Sequence, residues 1–157
     1  QVTVARHPSE TAERLVARLL AYALCYEEDL SFTKGICAGD EPDLWVKGPD
    51  GRIQSWIEVG LPDPERLLKA SRHCERVALF AFGPVRFRWE EQHLAKLAAL
   101  PNIAVVGIDF DFLSQIVSCL KRSIDWSLTV TEGSLYLSVA GETFEAALEP
   151  LAGTLSH

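Results

Sequence analysis

Two short apolar runs narrow the architectures open to this chain. Arg76-Val77-Ala78-Leu79-Phe80-Ala81-Phe82 is apolar after its first residue, and Ile103 to Ile108 repeats the pattern. Side chains alternate across a strand, so a uniformly apolar strand needs cover on both faces. The cover is available as helices. In the stretch that opens at His7-Pro8-Ser9 and runs to about Tyr26, Leu15, Val16, Leu19, Leu20, Ala23 and Leu24 recur at helical spacing. Pro64 to Glu75, Glu90 to Leu100 and Asp111 to Lys121 read as three more helices, the middle one stopped by Pro101-Asn102. Val2 to Ala5 reads as the end of a strand, and Leu30 to Ile36 as a short strand or loop. Trp126 to Val130 and Leu135 to Val139 alternate apolar and polar around Glu132-Gly133, which makes an antiparallel hairpin. Phe144, Ala146 and Leu148 add a third strand. The sum is an α/β fold: one mixed β-sheet flanked by helices on both faces, with an additional antiparallel hairpin, in a single domain over residues 1–157.

Composition excludes some functions. With 48% hydrophobic and 24% charged residues, the chain has the balance of a globular protein that can bury a core. No apolar run approaches the ~20 residues of a membrane span, so no membrane role is expected. No signal peptide is visible, and the expected location is cytoplasmic. The chain begins at Gln1 and contains no Met, so the N-terminus is expected to be incomplete. Cys25, Cys37, Cys74 and Cys119 match no metal-binding spacing and read as reduced, structural thiols. The net charge of −7 argues against tight non-specific binding of nucleic acid by the surface as a whole. A local basic strip is compatible with it. Arg86 and Arg88 alternate with Phe87 and Trp89, which suits an edge strand with solvated charges or such a strip.

The residues that point to chemistry lie between the first two helices. Asp40-Glu41-Pro42-Asp43-Leu44-Trp45 is followed by the turn signal Gly48-Pro49-Asp50-Gly51 and then by Trp56-Ile57-Glu58-Val59-Gly60. Leu44 to Lys47 and Arg52 to Val59 form the arms of a hairpin. With the turn centred on Pro49 and Asp50, Asp43 lies opposite Trp56 and shares a face with Glu58 diagonally across the ladder, roughly 7–8 Å away between backbones. Two carboxylates can close that gap onto one divalent cation. Pro-Asp, a hairpin, then Glu on the next strand is the layout of a nuclease-type metal site, in which Mg²⁺ or Mn²⁺ activates water and stabilises the leaving oxygen. Ser9 and Thr11 lack the partner pattern of a nucleophilic triad, and no glycine-rich phosphate loop is present.

Taken together, Ala5-Arg6-His7-Pro8-Ser9-Glu10-Thr11, Glu13-Arg14, Phe32-Thr33-Lys34-Gly35, the Asp40 to Trp45 and Trp56 to Gly60 segments, Pro62-Asp63 and Lys69-Ala70 strongly resemble the YaeQ family. The likeness covers most of the chain and loosens after about Asp109. YaeQ proteins are bacterial and of poorly understood function. The resemblance implies a variant of the PD-(D/E)XK, restriction-endonuclease-like core, with Asp43 and Glu58 as metal ligands. It implies a first-helix carboxylate, Glu10 or Glu13, as a further ligand; both residues also suit simple stabilisation of a helix N-terminus. The lysine of the superfamily motif would fall at Gly60, which carries no charge, and the Gln common in relatives one residue on is Leu61 here. Lys69, on the following helix, is the candidate for a relocated catalytic lysine, with Lys34 a more distant one. The functional expectation is a metal-dependent nuclease with a degenerate site. The alternative is a catalytically inactive module of the same fold that binds nucleic acid or a protein partner. Neither a protein partner nor an oligomeric state is assigned by the sequence.

Overall fold

The computed structural model describes residues 11–33, 41–120, 126–131, 134–139 and 142–153. In chain order the elements are α1 (Ala12–Leu24), β1 (Leu30–Phe32), β2 (Leu44–Lys47), β3 (Ile53–Val59), α2 (Pro64–Ser71), β4 (Arg76–Ala81), α3 (Arg86–Ala98), β5 (Ile103–Gly107), α4 (Phe110–Leu120), β6 (Trp126–Thr131), β7 (Ser134–Val139), β8 (Glu142–Ala147) and β9 (Glu149–Ala152). The main sheet has six strands in the order β1-β2-β3-β4-β5-β9. β1, β2 and β3 run antiparallel, β3, β4 and β5 run parallel, and β9 returns antiparallel along β5. The second sheet is the meander β6-β7-β8, which extends the expected hairpin by its third strand. The expected strand at Val2–Ala5 lies outside the described residues.

The two uniformly apolar strands sit at the centre, with an apolar layer on each face. Ala78, Phe80 and Val106 pack with α1 and α4, while Val77, Leu79 and Val105 pack with α2 and α3. In β3, Ile57 and Val59 belong to the α1 side and Trp56 to the α2 side, which Ile53 joins from beyond the register shift that skips Gln54. Burial of each large aliphatic side chain contributes about 1.5–3 kcal/mol.

Four boundaries differ from the sequence reading, each for a local reason. α1 begins after Thr11, whose extended backbone and hydroxyl, accepting from the Arg14 N–H at 3.1 Å, form the N-cap; Pro8 and Ser9 lie outside the described residues. α2 stops at Ser71 instead of Glu75. The Asn102 amide donates to the carbonyls of Ser71 (2.8 Å) and Cys74 (3.1 Å), ending the helix and tying the turn after it to the start of β5. Arg86 to Trp89 forms the first turn of α3, not an edge strand. Arg86 and Trp89 lie three apart and are both buried, whereas Phe87 and Arg88 face solvent. β9 was not anticipated: Glu149-Pro150-Leu151-Ala152 contains a proline, which a strand tolerates at a sheet edge, and β9 occupies that edge. Arg86 fastens it by donating to both Glu149 carboxylate oxygens at 3.2 Å.

Candidate functional site

The hairpin places Asp43 and Glu58, with a register two residues from the expected one. Trp45 pairs with Trp56 and Leu44 with Ile57, because the turn runs from Gly48 to Arg52 and the ladder slips between Val46 and Lys47. Gly48 N–H donates to the Arg52 carbonyl at 2.8 Å, and Gly51 takes φ +85°. The paired ladder ends at Leu44, and on the β3 side Asp43 lies against Ile57 and Val59. Asp43 stands just beyond the ladder. Its N–H donates to the Ile57 carbonyl (3.0 Å), and its own carbonyl accepts from Thr33 N–H (3.1 Å), so it joins β1, β2 and β3.

Both carboxylates are buried: Asp43 is 3% exposed and Glu58 5%. Each is committed to an arginine. Arg14 Nη2 of α1 donates to Asp43 Oδ1 in a very short ion pair, and Arg14 Nη1 donates to the Val59 carbonyl at 2.9 Å. Val59 N–H donates to Asp43 Oδ2 at 2.9 Å, so the Asp43 carboxylate, the Arg14 guanidinium and the Val59 backbone close a ring at the end of β3. On Glu58, Oε1 accepts from Arg66 Nε (3.2 Å) and Nη2 (3.1 Å), and Oε2 accepts from Trp56 Nε1 (3.0 Å). Arg66 Nη2 also donates to the Glu41 carbonyl at 3.0 Å. The arginines come from opposite layers, α1 for Asp43 and α2 for Glu58. Asp63 caps α2 through the Glu65 N–H at 3.0 Å, and Pro64 fixes its first turn, which sets Arg66 over Glu58.

Burial raises the pKa of the Asp43 carboxyl; Arg14, the Val59 N–H and Arg18 act in the opposite direction without cancelling it. Burial raises that of Glu58 as well, against the pull of the Trp56 hydrogen bond and Arg66, and the Asp43 charge adds to the rise. The two groups therefore feel one another electrostatically across the end of the hairpin.

The backbone at position 60 favours glycine. It has φ +97°, a conformation that side chains other than glycine rarely adopt, and its N–H donates to the Phe80 carbonyl at 2.9 Å. A Cβ placed there would lie 3.3 Å from Arg14 Nη1. A cation from α1 thus lies in close contact with position 60.

The remaining candidates are dispersed. Glu13 is half-buried in the first turn of α1 and makes no hydrogen bond or ion pair among the described residues. Glu10 and Lys34 lie outside the described residues. Lys69 is exposed on α2 and lines a cleft shared with Trp56 and Arg66, the two residues that bond Glu58. Among the described residues no group of three or more His, Cys, Asp and Glu side chains is arranged to hold a metal ion. Sequence reading overlooked Arg14 and Arg66 as site residues. The apolar spacing of the first helix puts positions 14 and 18 opposite its expected stripe, and only the structure shows Arg18 buried and Arg14 half-buried.

Fold and site together define a mixed α/β protein with an arginine-bound acidic pair at the end of its central hairpin. The chain belongs to the YaeQ family: the family model described as YaeQ protein matches residues 1–148. It is 39% identical over 148 residues to the uncharacterized protein YaeQ of Salmonella typhi, covering 94% of this chain and 82% of that one. The Escherichia coli K12 protein of the same description is 38% identical over 138 residues, 87% of this chain and 76% of that one. The crystal structure of a YaeQ protein from Pseudomonas syringae superposes with a TM-score of 0.89 at 39% identity, covering 98% of this chain and 85% of that chain. The YaeQ structure from Xanthomonas axonopodis pv. citri gives 0.91 at 27% identity, covering 98% and 87%.

Proposed function

We propose that this YaeQ-family chain is a PD-(D/E)XK-type module that binds nucleic acid without cutting it. The observation that carries the reading is the commitment of both candidate metal ligands to arginines, Asp43 to Arg14 and Glu58 to Arg66. A divalent cation at that position must displace or face two guanidinium groups, which repel it. Gly60 supports the same reading, since its backbone conformation and the neighbouring Arg14 leave no place for the superfamily lysine. Loss of one transition-state contact of that kind typically slows a reaction ~10²–10³-fold.

A second reading keeps the enzyme. It rests on the burial of two carboxylates, Asp43 and Glu58, at the same end of the hairpin, where burial raises the pKa of each and the Asp43 charge adds to the rise at Glu58. A bound Mg²⁺ or Mn²⁺ would relieve such repulsion, with Asp43 and Glu58 as ligands, Glu10 or Glu13 completing the set, and Lys69 as the cation near the phosphate. The deciding experiment incubates the protein with a panel of DNA and RNA substrates in Mn²⁺ and in chelator. The binding reading predicts retarded, intact nucleic acid in both. Chelator-sensitive cleavage that Asp43→Asn abolishes would replace it with the enzyme.

A further inference from the structure

We propose that the cleft between the β2–β3 turn and α2 is a binding site for single-stranded nucleic acid, with phosphates on Arg52, Lys69, Arg72 and His73 and a base against Trp56. This inference deepens the nucleic-acid reading and rests on it. The cleft measures about 780 Å³, within the range of roughly 300–1,000 Å³ typical of ligand sites.

Its charge is what sets it apart. The whole chain has 22 acidic residues against 15 Lys and Arg, yet the cleft lining contains four Lys and Arg, one His and no Asp or Glu. The pattern follows from helix geometry. Arg66, Lys69 and His73 recur at three- and four-residue spacing along one side of α2 and its C-terminal turn, with Arg72 beside them, while Asp63 and Glu65 line a separate groove with Trp89. Among the described residues the Lys69, Arg72 and His73 side chains make no hydrogen bond or ion pair. Arg52 meets only the exposed Asp50, at 3.6 Å, a surface pair that is easily exchanged. These groups are therefore available to phosphates, whereas Arg66 is already committed to Glu58.

The aromatic floor gives the strand preference. Trp56 lines the cleft, half-buried, with its indole fixed by the Nε1 hydrogen bond to Glu58. A ring held in one orientation loses little entropy when a base stacks on it. In a duplex the bases are stacked on one another and cannot reach it; a single strand offers them.

The test measures affinity by fluorescence anisotropy at low salt. The probes are a labelled mixed-sequence single strand, the same strand with abasic sites, and the corresponding duplex. Lys69 and Arg72 are exposed, so Lys69→Glu/Arg72→Glu keeps the fold, which circular dichroism verifies. The expected results are a loss of roughly tenfold or more in the double variant and a shallower salt dependence, by about 0.7 in log–log slope per lost contact. The abasic strand should bind roughly fivefold or more weakly, and the duplex more weakly than the single strand. If wild type binds and the double variant binds equally well, the cleft assignment fails while the nucleic-acid reading stands. Equal affinity for abasic and intact strands, or tighter binding of duplex, overturns the role of Trp56 and the single-strand assignment. Failure of wild type to bind any of the three probes overturns both.

Discussion

At the scale of single residues, Asp43 shows how a buried carboxylate can tie a hairpin to a helix. It is 3% exposed, and its oxygens are taken by Arg14 and the Val59 N–H. Ionisation in such a place costs more than its partners return, as its raised pKa indicates. Asp43→Asn keeps an acceptor for the Val59 N–H and removes the buried charge. It also turns an amide NH2 toward the Arg14 guanidinium and removes its counter-charge, so urea unfolding should show a loss of about 1–2 kcal/mol. Asp43→Ala deletes the acceptor and strands both donors; the same measurement should show a loss of about 3 kcal/mol. Equal losses would mean that the hydrogen bonds matter little.

The sign of the pH dependence follows from the same groups. Asp43 and Glu58 have folded-state pKa values above their unfolded ones, so between the two the native state holds more protons. Their contribution is fully present below the unfolded carboxylate pKa and is lost as pH rises through the raised values. Wild type should therefore lose stability relative to Asp43→Asn/Glu58→Gln on titration upward from about pH 4, where ordinary carboxylates ionise. A relative gain over that window would show that the arginines outweigh burial.

Gly60 carries a prediction of its own. Gly60→Ala must adopt φ +97° and crowd Arg14, at a cost of about 1–3 kcal/mol. Gly60→Lys, which introduces the charge that the proposed PD-(D/E)XK reading would expect there, should destabilise similarly and yield no nuclease activity. Cleavage gained by that variant would mean the position is more accommodating than its backbone allows.

At the scale of elements, the sequence was legible where pattern and packing agree. β4 and β5 are apolar on every inward position, and their double-sided burial follows. The hairpin was visible from Gly48-Pro49-Asp50-Gly51, but its register was not, because a longer loop and a slip at Val46/Lys47 are compatible with the same turn residues. Arg86 to Trp89 alternates in sequence and is helical in space: a four-residue pattern fits either period, and here it forms the first turn of the longer helix α3. Of the site, Asp43, Glu58 and Lys69 could be named, while Arg14 and Arg66 could not. Charged residues on amphipathic helices ordinarily face water, and only tertiary contacts reveal those that do not. Asn102 shows the same dependence at the end of α2. Asn102→Ala removes two carbonyl contacts and should cost about 1–2 kcal/mol. Hydrogen exchange should quicken locally from Arg72 to Glu75; unchanged protection there would deny the amide its role in ending the helix.

At the scale of the molecule, an acidic chain carries a concave basic surface, with no Asp or Glu among the described residues of its lining, beside its acidic pair. The two features meet through Trp56 and Arg66, each bonded to Glu58 and each lining the cleft. On this account Glu58 positions the aromatic floor and one wall of a binding site, and Asp43 locks the end of the hairpin to α1. The claim beneath both assignments is that the acidic pair is committed to arginines and does not hold a metal ion. Calorimetric titration of wild type and Asp43→Asn/Glu58→Gln with Mn²⁺ tests it most directly. The account predicts identical, non-saturating heats for the two proteins. Saturable binding of Mn²⁺ by wild type that the double variant loses would contradict it.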